Sequence, residues 1–344
     1  MKLHHGGNLV DATRRFGAPD AGWLDLSTGI SPWSWPVPVV PERVWRNLPY
    51  PDGELERIAA DYFGAASSGV LATPGSQFAI STVPALVRKG RVAMPSVGYA
   101  EHHHAWICAG HQPIHYDDES ALVALADGGL VDHAVIINPN NPTGTLLPQS
   151  TVSSVSARLA SRDGCTLVDE AFVDPVPGYS SGHLCGTQGL VVLRSLGKFF
   201  GLAGVRLGFC LGSASILGQL EERMGPWLVN HAARWIGERA LEDTEWHALQ
   251  RARLEAVSVR WHSDVAGIVP SAAAWTRNAL FSSVQMERAR ALALFESMAD
   301  RGVLIRLFEL DAERALIRLG LPGEEDYHRA IDALQAAVGE SLCC

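Results

Sequence analysis

Ser195-Leu196-Gly197-Lys198-Phe199-Phe200-Gly201-Leu202-Ala203-Gly204-Val205-Arg206-Leu207-Gly208-Phe209 is the stretch that decides the fold of this 344-residue chain. The run from Leu190 to Leu193 leads into it, apolar, bounded and β-branched, and reads as a buried strand. The lysine that follows sits in a loop almost empty of other charge. Ser195 stands three residues before it and Arg206 eight after. An apolar setting disfavours the charged ammonium, so such a lysine can act as an amine nucleophile near neutral pH. A hydroxyl and a guanidinium fork at these offsets suit a phosphate held beside it. A lysine and an arginine flanking a strand hairpin would be the plainer reading, and the rest of the chain bears on that choice.

Working outward, short apolar runs alternate with helical periodicity from about 70 to 210. Val70 to Thr73, Val92 to Met94, Ala134 to Ile137, Thr166 to Val168 and Leu190 to Leu193 read as strands, with a sixth from Val205 to Leu211. Short buried strands separated by helices predict a mostly parallel sheet covered on both faces. Ligands of such sheets gather at the carboxyl ends of the strands, and the polar clusters fall there. Gly75-Ser76-Gln77 lies between a strand and a helix start, where free N–H groups favour an anion, although an ordinary capped helix would look the same. In Asn138-Pro139-Asn140-Asn141-Pro142-Thr143-Gly144, two Asn-Pro steps force a sharp, extended loop that can aim Asn141 into a cleft. Asp169-Glu170-Ala171-Phe172 ends the next strand; a carboxylate there could keep a pyridine nitrogen protonated, or simply cap the following segment. Glu170 better suits a structural pair.

The remaining sequence divides into an arm over 1–50, a large domain over 51–225 and a smaller α+β domain over 226–344. Six prolines between Pro32 and Pro51 argue against a regular element in that part of the arm. Helices are expected over 213–224, 227–241, 244–261, 287–300 and 323–338, and strands over 280–284, 303–308 and 315–319. Arg306 and Arg318 each fall in one of those strands, where an arginine among apolar neighbours meets an anion or an acid. Glu101-His102-His103-His104 is not a metal site on spacing, because adjacent histidines diverge and no second ligand set matches; His102 suits stacking on a planar ligand, and no metal is expected. Net charge is −9 with no basic stripe, which argues against nucleic acid. No apolar run approaches the ~18 residues of a membrane span. No secretory signal is expected at Met1 to Asn8. The six cysteines, Cys343 and Cys344 included, lack disulfide or metal spacing, so reduced thiols in a cytoplasm are expected.

Taken together, Gly-Ser-Gln at 75–77, the heptapeptide at 138–144, Asp-Glu-Ala-Phe at 169–172, Ser-Leu-Gly-Lys at 195–198 and the arginine at 206 resemble the histidinol-phosphate aminotransferase branch of fold-type-I pyridoxal-phosphate enzymes. Within it the chain is similar to the L-threonine-O-3-phosphate decarboxylases of cobalamin biosynthesis. His5-Gly6-Gly7-Asn8, Asp169 to Asp174, Val192 to Phe200 and Gly225-Pro226-Trp227-Leu228-Val229-Asn230 carry that sharper likeness. The resemblance implies an aspartate-aminotransferase-like α/β fold, pyridoxal 5'-phosphate as cofactor and a small phosphorylated amino acid as substrate. It implies that Lys198 condenses with the cofactor aldehyde and later moves the proton, and that Asp169 pairs with the pyridine nitrogen. Asn141 would bond the ring oxygen, and Ser76, Gln77, Ser195 and Arg206 the cofactor phosphate. Tyr50 would reach that phosphate from the second subunit of a homodimer, and His102 would stack on the ring. Arg318 would take the substrate carboxylate, with Arg306, His5 and Asn8 as candidates for the substrate phosphate. The sequence departs from its relatives in three places. Phe172 stands where aminotransferases often have Tyr, Gly197 where Ser or Thr precedes the lysine, and Thr28-Gly29-Ile30-Ser31-Pro32 where the decarboxylases usually have Ala-Asn-Ile-Asn-Pro. An aminotransferase acting on histidinol phosphate is the alternative.

Overall fold

Seven strands, Val70–Thr73, Arg91–Pro95, Gln112–Tyr116, His133–Ile137, Thr166–Asp169, Leu190–Ser195 and Gly208–Leu211, form one sheet. The computed structural model that shows it describes residues 5–270 and 273–341; Cys343 and Cys344 lie outside them. From edge to edge the strands lie in the order 70–73, 208–211, 190–195, 166–169, 133–137, 91–95, 112–116. Only 208–211 runs antiparallel to its neighbours. The central strands carry apolar runs of Val, Ile, Leu and Ala, Ala134 to Ile137 and Leu190 to Leu193 among them, because both their faces are covered by helices. Ile80, Val83, Met94, Trp106, Val135, Leu167, Val191, Leu193 and Leu220 form one core there.

Two strand expectations needed adjustment. The strand expected from Val205 begins at Gly208, because Ala203–Val205 makes a 3-10 turn and Arg206 takes the left-handed conformation (φ 57, ψ 46). Gln112–Tyr116 was not anticipated: it is an edge strand containing Pro113, with no apolar run to announce it.

The chain forms two compact units. One comprises 34–141 and 145–248 and contains the seven-stranded sheet; the other comprises 1–33, 142–144 and 249–344. The expected arm thus divides at Trp33, and residues 226–248 fall with the sheet-bearing unit, where His231–Glu242 packs on Glu54–Phe63. In the second unit a four-stranded antiparallel sheet runs in the order Arg306–Glu309, Arg314–Gly320, Phe281–Glu287, Thr276–Asn278. The helices Arg288–Asp300 and Tyr327–Ser341 pack together beside it. Leu24–Asp25 pairs in parallel with Val303–Leu304, and Gly320 N–H donates to the Leu26 carbonyl at 2.7 Å. These long-range bonds tie residues 24–26 to the C-terminal part of the unit.

Two buried histidines in the larger unit share a bonding pattern, and one of them, His133, makes the unit sensitive to acid. His111 Nε2–H donates to the Pro84 carbonyl at 2.8 Å and its Nδ1 accepts from Gly90 N–H at 3.3 Å. His133 repeats the pattern, donating to Arg88 O at 2.8 Å and accepting from Cys165 N–H at 3.0 Å. The rings lie 5.3 Å apart against Trp106. A second proton on the His133 ring would set an N–H against the Cys165 N–H. Burial, outweighing the bond to the Arg88 carbonyl, pushes His133 down to about 4. The folded value lies below the unfolded one of about 6.5. The stability of the neutral ring is therefore complete above that pH and is lost as pH falls toward 4, by at most about 3 kcal/mol. The urea midpoint should drop more steeply between about pH 7 and pH 4.5 in the parent than in His133→Gln. Equal slopes would exclude His133 as the cause.

Candidate active site

The strand ends build a cradle for an anion. Thr73 and Ser195 both pair with Gly208, on its two sides. After Thr73 the chain turns through Pro74-Gly75 into the helix Ser76–Thr82. Gly75 has φ +77, and a Cβ there would lie 2.7 Å from Arg206 Nη2. A Cβ on Gly208 would lie 2.4 Å from the Ser76 nitrogen. Glycine alone permits both approaches. Arg206 turns its guanidinium back onto Gly75 from its left-handed backbone, and Nη1 donates to Ala203 O at 3.2 Å. Ser76, Ser195 and Arg206, predicted as phosphate ligands, are thus brought together. The Ser195 Oγ accepts from Gly197 N–H at 3.1 Å, which keeps its own O–H available as a donor. Gln77 differs: its amide nitrogen donates to Glu101 at 3.0 Å and its oxygen accepts from Tyr99 at 3.3 Å. What Gln77 offers an anion is its backbone N–H.

Asp169, at the end of its strand, is buried. Its Oδ1 accepts from Ala171 N–H at 3.0 Å and its Oδ2 lies 2.8 Å from His102 Nε2. His102, expected to stack on a planar ligand, is therefore bonded to the acid. Its Nδ1 is buried without a partner among the described residues, which points to a polar ligand. Lys198 is half-buried, with Nζ 5.2 Å from the centre of the Phe172 ring. The loop before Asn141 is pinned by Asn138, whose amide exchanges bonds of 3.0 and 2.9 Å with the Leu147 backbone, and by Asn140, which donates to Val97 O at 3.0 Å. Tyr50 lies at the surface, 66% exposed, its ring 5.9 Å from that of Trp227. None of the three histidines after Glu101 belongs to a metal cluster: among the described residues no group of three or more His, Cys, Asp or Glu could hold an ion.

In the second unit Arg306 and Arg318 stand directly opposite each other across two strands. Arg318 is buried, donates to the Ser27 carbonyl and lies over Phe281 and Phe308. Burial pulls it down to about 9; Arg306 adds to the drop and Asp25 opposes it. Two guanidinium groups facing one carboxylate leave this face positive, as an anion site requires. The His5–Asn8 segment docks on the same Ser27, whose hydroxyl accepts from Gly7 N–H at 2.8 Å. Asn8 itself caps the helix Leu9–Phe16, accepting from Asp11 N–H at 3.1 Å, and His5 is exposed. The glycine walls and the His102–Asp169 bond were not foreseen. They depend on pairing between residues far apart in the chain.

This architecture is the aspartate-aminotransferase fold, fold type I of the pyridoxal-phosphate enzymes. Residues 43–334 match the family described as aminotransferase class I and II, and the chain belongs to it. It is 43% identical over 333 residues to a threonine-phosphate decarboxylase of Pseudomonas aeruginosa, with 96% of each chain covered. It is 36% identical over 340 residues to one of a Sinorhizobium species, covering 96% of this chain and 97% of that one. The histidinol-phosphate aminotransferase of Clostridium acetobutylicum shares the fold at a TM-score of 0.79 and 20% identity, over 92% of this chain and 99% of that one. The cofactor is pyridoxal phosphate, and the residues present fit it. The glycine-walled cradle suits its phosphate, and a buried carboxylate beside the unpartnered His102 Nδ1 suits a polar ring. No described helix is long and apolar enough to cross a membrane.

Proposed function

We propose that this chain decarboxylates L-threonine O-3-phosphate, releasing CO2 and (R)-1-amino-2-propanol O-2-phosphate for cobalamin biosynthesis in the cytoplasm. The observation that carries the proposal is likeness to threonine-phosphate decarboxylases along nearly the whole chain. Pyridoxal phosphate, when bound, supplies an aldehyde that takes up amines and a ring that accepts an electron pair. Ser76, Ser195, Arg206 and the Gln77 backbone hold its phosphate. Asp169 keeps a proton on the pyridine nitrogen, His102 keeps Asp169 in place, and Asn141 bonds the ring oxygen. Lys198 Nζ is the nucleophile toward the aldehyde and afterwards the proton carrier. Arg318 takes the substrate carboxylate, and Arg306 or the His5–Asn8 segment its phosphate. Two anions gripped at once leave little rotational freedom, and that freedom decides which bond at Cα breaks. Phe172 lacks the hydroxyl of the tyrosine common in aminotransferases, which favours the decarboxylase.

The same lysine, acid and arginine would serve an aminotransferase on histidinol phosphate, so the test must separate the two. L-threonine phosphate should yield CO2 and aminopropanol phosphate. Free L-threonine should react about 10²-fold more slowly or worse, because charge-assisted bonds to the phosphate are lost. If threonine phosphate gives no CO2 while histidinol phosphate and 2-oxoglutarate exchange an amino group, the decarboxylase reading fails and the aminotransferase takes its place.

The active form on this reading is a homodimer. Tyr50, Trp45, Leu48, Trp227 and Leu228 are all exposed, an apolar group that a second copy would cover. Tyr50 then reaches the cofactor phosphate of the partner. Small-angle scattering should give twice the monomer mass, and Tyr50→Phe should weaken cofactor binding. A monomer that retains the cofactor fully would refute this assembly.

A further inference from the structure

Arg194 is four residues before Lys198, and its side chain is assigned no contact with the cofactor. Its guanidinium is buried, as are Glu170 and Asp174. Nη2 donates to Asp174 Oδ1 at 2.5 Å, and Nη1 donates to Ser180 Oγ at 3.1 Å while lying 3.5 Å from Glu170 Oε2. The guanidinium covers the Phe63 ring at 4.3 Å. Ser180 Oγ accepts from both Arg194 and Gly182 N–H, so its one proton goes to Glu170 Oε2, 2.7 Å away. Glu170 Oε1 accepts from Ser181 N–H at 2.6 Å, and Tyr62 O–H donates to Asp174 at 3.0 Å. Burial raises Glu170 despite Arg194 beside it. Burial also pulls on Arg194, but Asp174 and Glu170 hold it above its ordinary value.

The position of this trio matters more than its charge. The strands ending at Asp169 and running toward Lys198 are neighbours in register, Asp169 opposite Leu193, and the bond from Glu170 N–H to Leu193 O at 3.0 Å is the last between them. Beyond it each chain leaves the sheet. Side chains alternate along a strand, so Glu170 and Arg194 lie on the face opposite Asp169 and Ser195. On that face the guanidinium ties the loop after Asp169 to the strand before Lys198. Apolar residues of equal volume would stabilise such a buried place as well or better; a fork between two acids adds direction.

We propose that Arg194, held by Asp174 and Glu170, is a positioning residue that sets Asp169 and Lys198 in register for the cofactor. The proposal rests on the roles given to those two residues above. Two variants test it. Arg194→Lys keeps the charge but cannot span both acids. The triple variant Arg194→Met with Glu170→Leu and Asp174→Leu removes charge and fork together. Both should keep the far-ultraviolet circular dichroism of the parent. In the holoproteins the visible dichroism of the bound cofactor should fall about twofold or more, and the pH midpoint of its absorbance should move. The kcat for threonine phosphate should drop about tenfold or more while KM changes less than about threefold. Folded variants with parental cofactor dichroism, pH midpoint and kcat would overturn the proposal. So would failure of both to fold, since the trio would then be only structural. A parent protein that takes up no pyridoxal phosphate would instead overturn the reading of the site, before any variant is compared.

Discussion

A Lys198→Ala variant is expected to fold, to take up the cofactor weakly and to lose turnover by several orders of magnitude, at least about 10³-fold. The size follows from two roles falling on one atom. In the proposed function Nζ is both the amine that meets the aldehyde and the carrier of the proton afterwards, and alanine supplies neither. The surroundings of the side chain are apolar. Lys198 is flanked by the buried Leu196, Phe199 and Phe200 and faces the Phe172 ring. Folding should survive, because the apolar neighbours stay packed without it. A chemical check is available because the chain has three lysines, Lys2, Lys89 and Lys198. Borohydride reduction of the yellow holoprotein should bleach it and fix the label on the peptide carrying Lys198. A label on Lys89 or Lys2 would sink the assignment, and Lys198→Ala with near-parental kcat would do the same.

The central strands were legible because burial on both faces forces unbroken apolar runs, and Thr166–Asp169 and Leu190–Ser195 lie within a residue or two of where the runs placed them. Ser195, Lys198 and Arg206 stood out as candidates because they lie at short, fixed offsets from one another. What was hidden is what depends on pairing. Gly75 and Gly208 are 133 positions apart and become one wall only through the antiparallel register. The bond between His102 and Asp169 crosses 67 positions, so the histidine could be read as a stacking ring and not as a partner of the acid. Gln77 has the side chain of a phosphate ligand, but Glu101 and Tyr99 claim it. The parallel pairing of Leu24–Asp25 with Val303–Leu304 was hidden because it joins residues 279 positions apart. Arg318 could be given an anion from its apolar neighbours; that Arg306 faces it directly could not be known before the register was.

Asp169→Asn should keep the cofactor and lower kcat about 10²–10⁴-fold, equivalent to about 3–5 kcal/mol of transition-state stabilisation. The substitution is close to isosteric, and the neighbourhood can accommodate it. One amide oxygen can still accept from Ala171 N–H, as Asp169 Oδ1 does at 3.0 Å. The amide nitrogen then faces His102 Nε2, which now donates to Asp169 across 2.8 Å. His102 can answer by moving its proton to Nδ1, the ring atom that has no partner among the described residues, so that Nε2 becomes the acceptor. The hydrogen bonds survive and only the negative charge is lost. In the proposed function that charge keeps a proton on the pyridine nitrogen, so the loss should appear in kcat and in the pH dependence of the cofactor absorbance rather than in melting temperature. A His102→Gln variant, which keeps a donor near Asp169, should lose less than Asp169→Asn. Unchanged kcat in Asp169→Asn would reduce the carboxylate to a cap on Ala171. A fall in melting temperature that accounts for the whole loss would assign it to the fold instead of the chemistry.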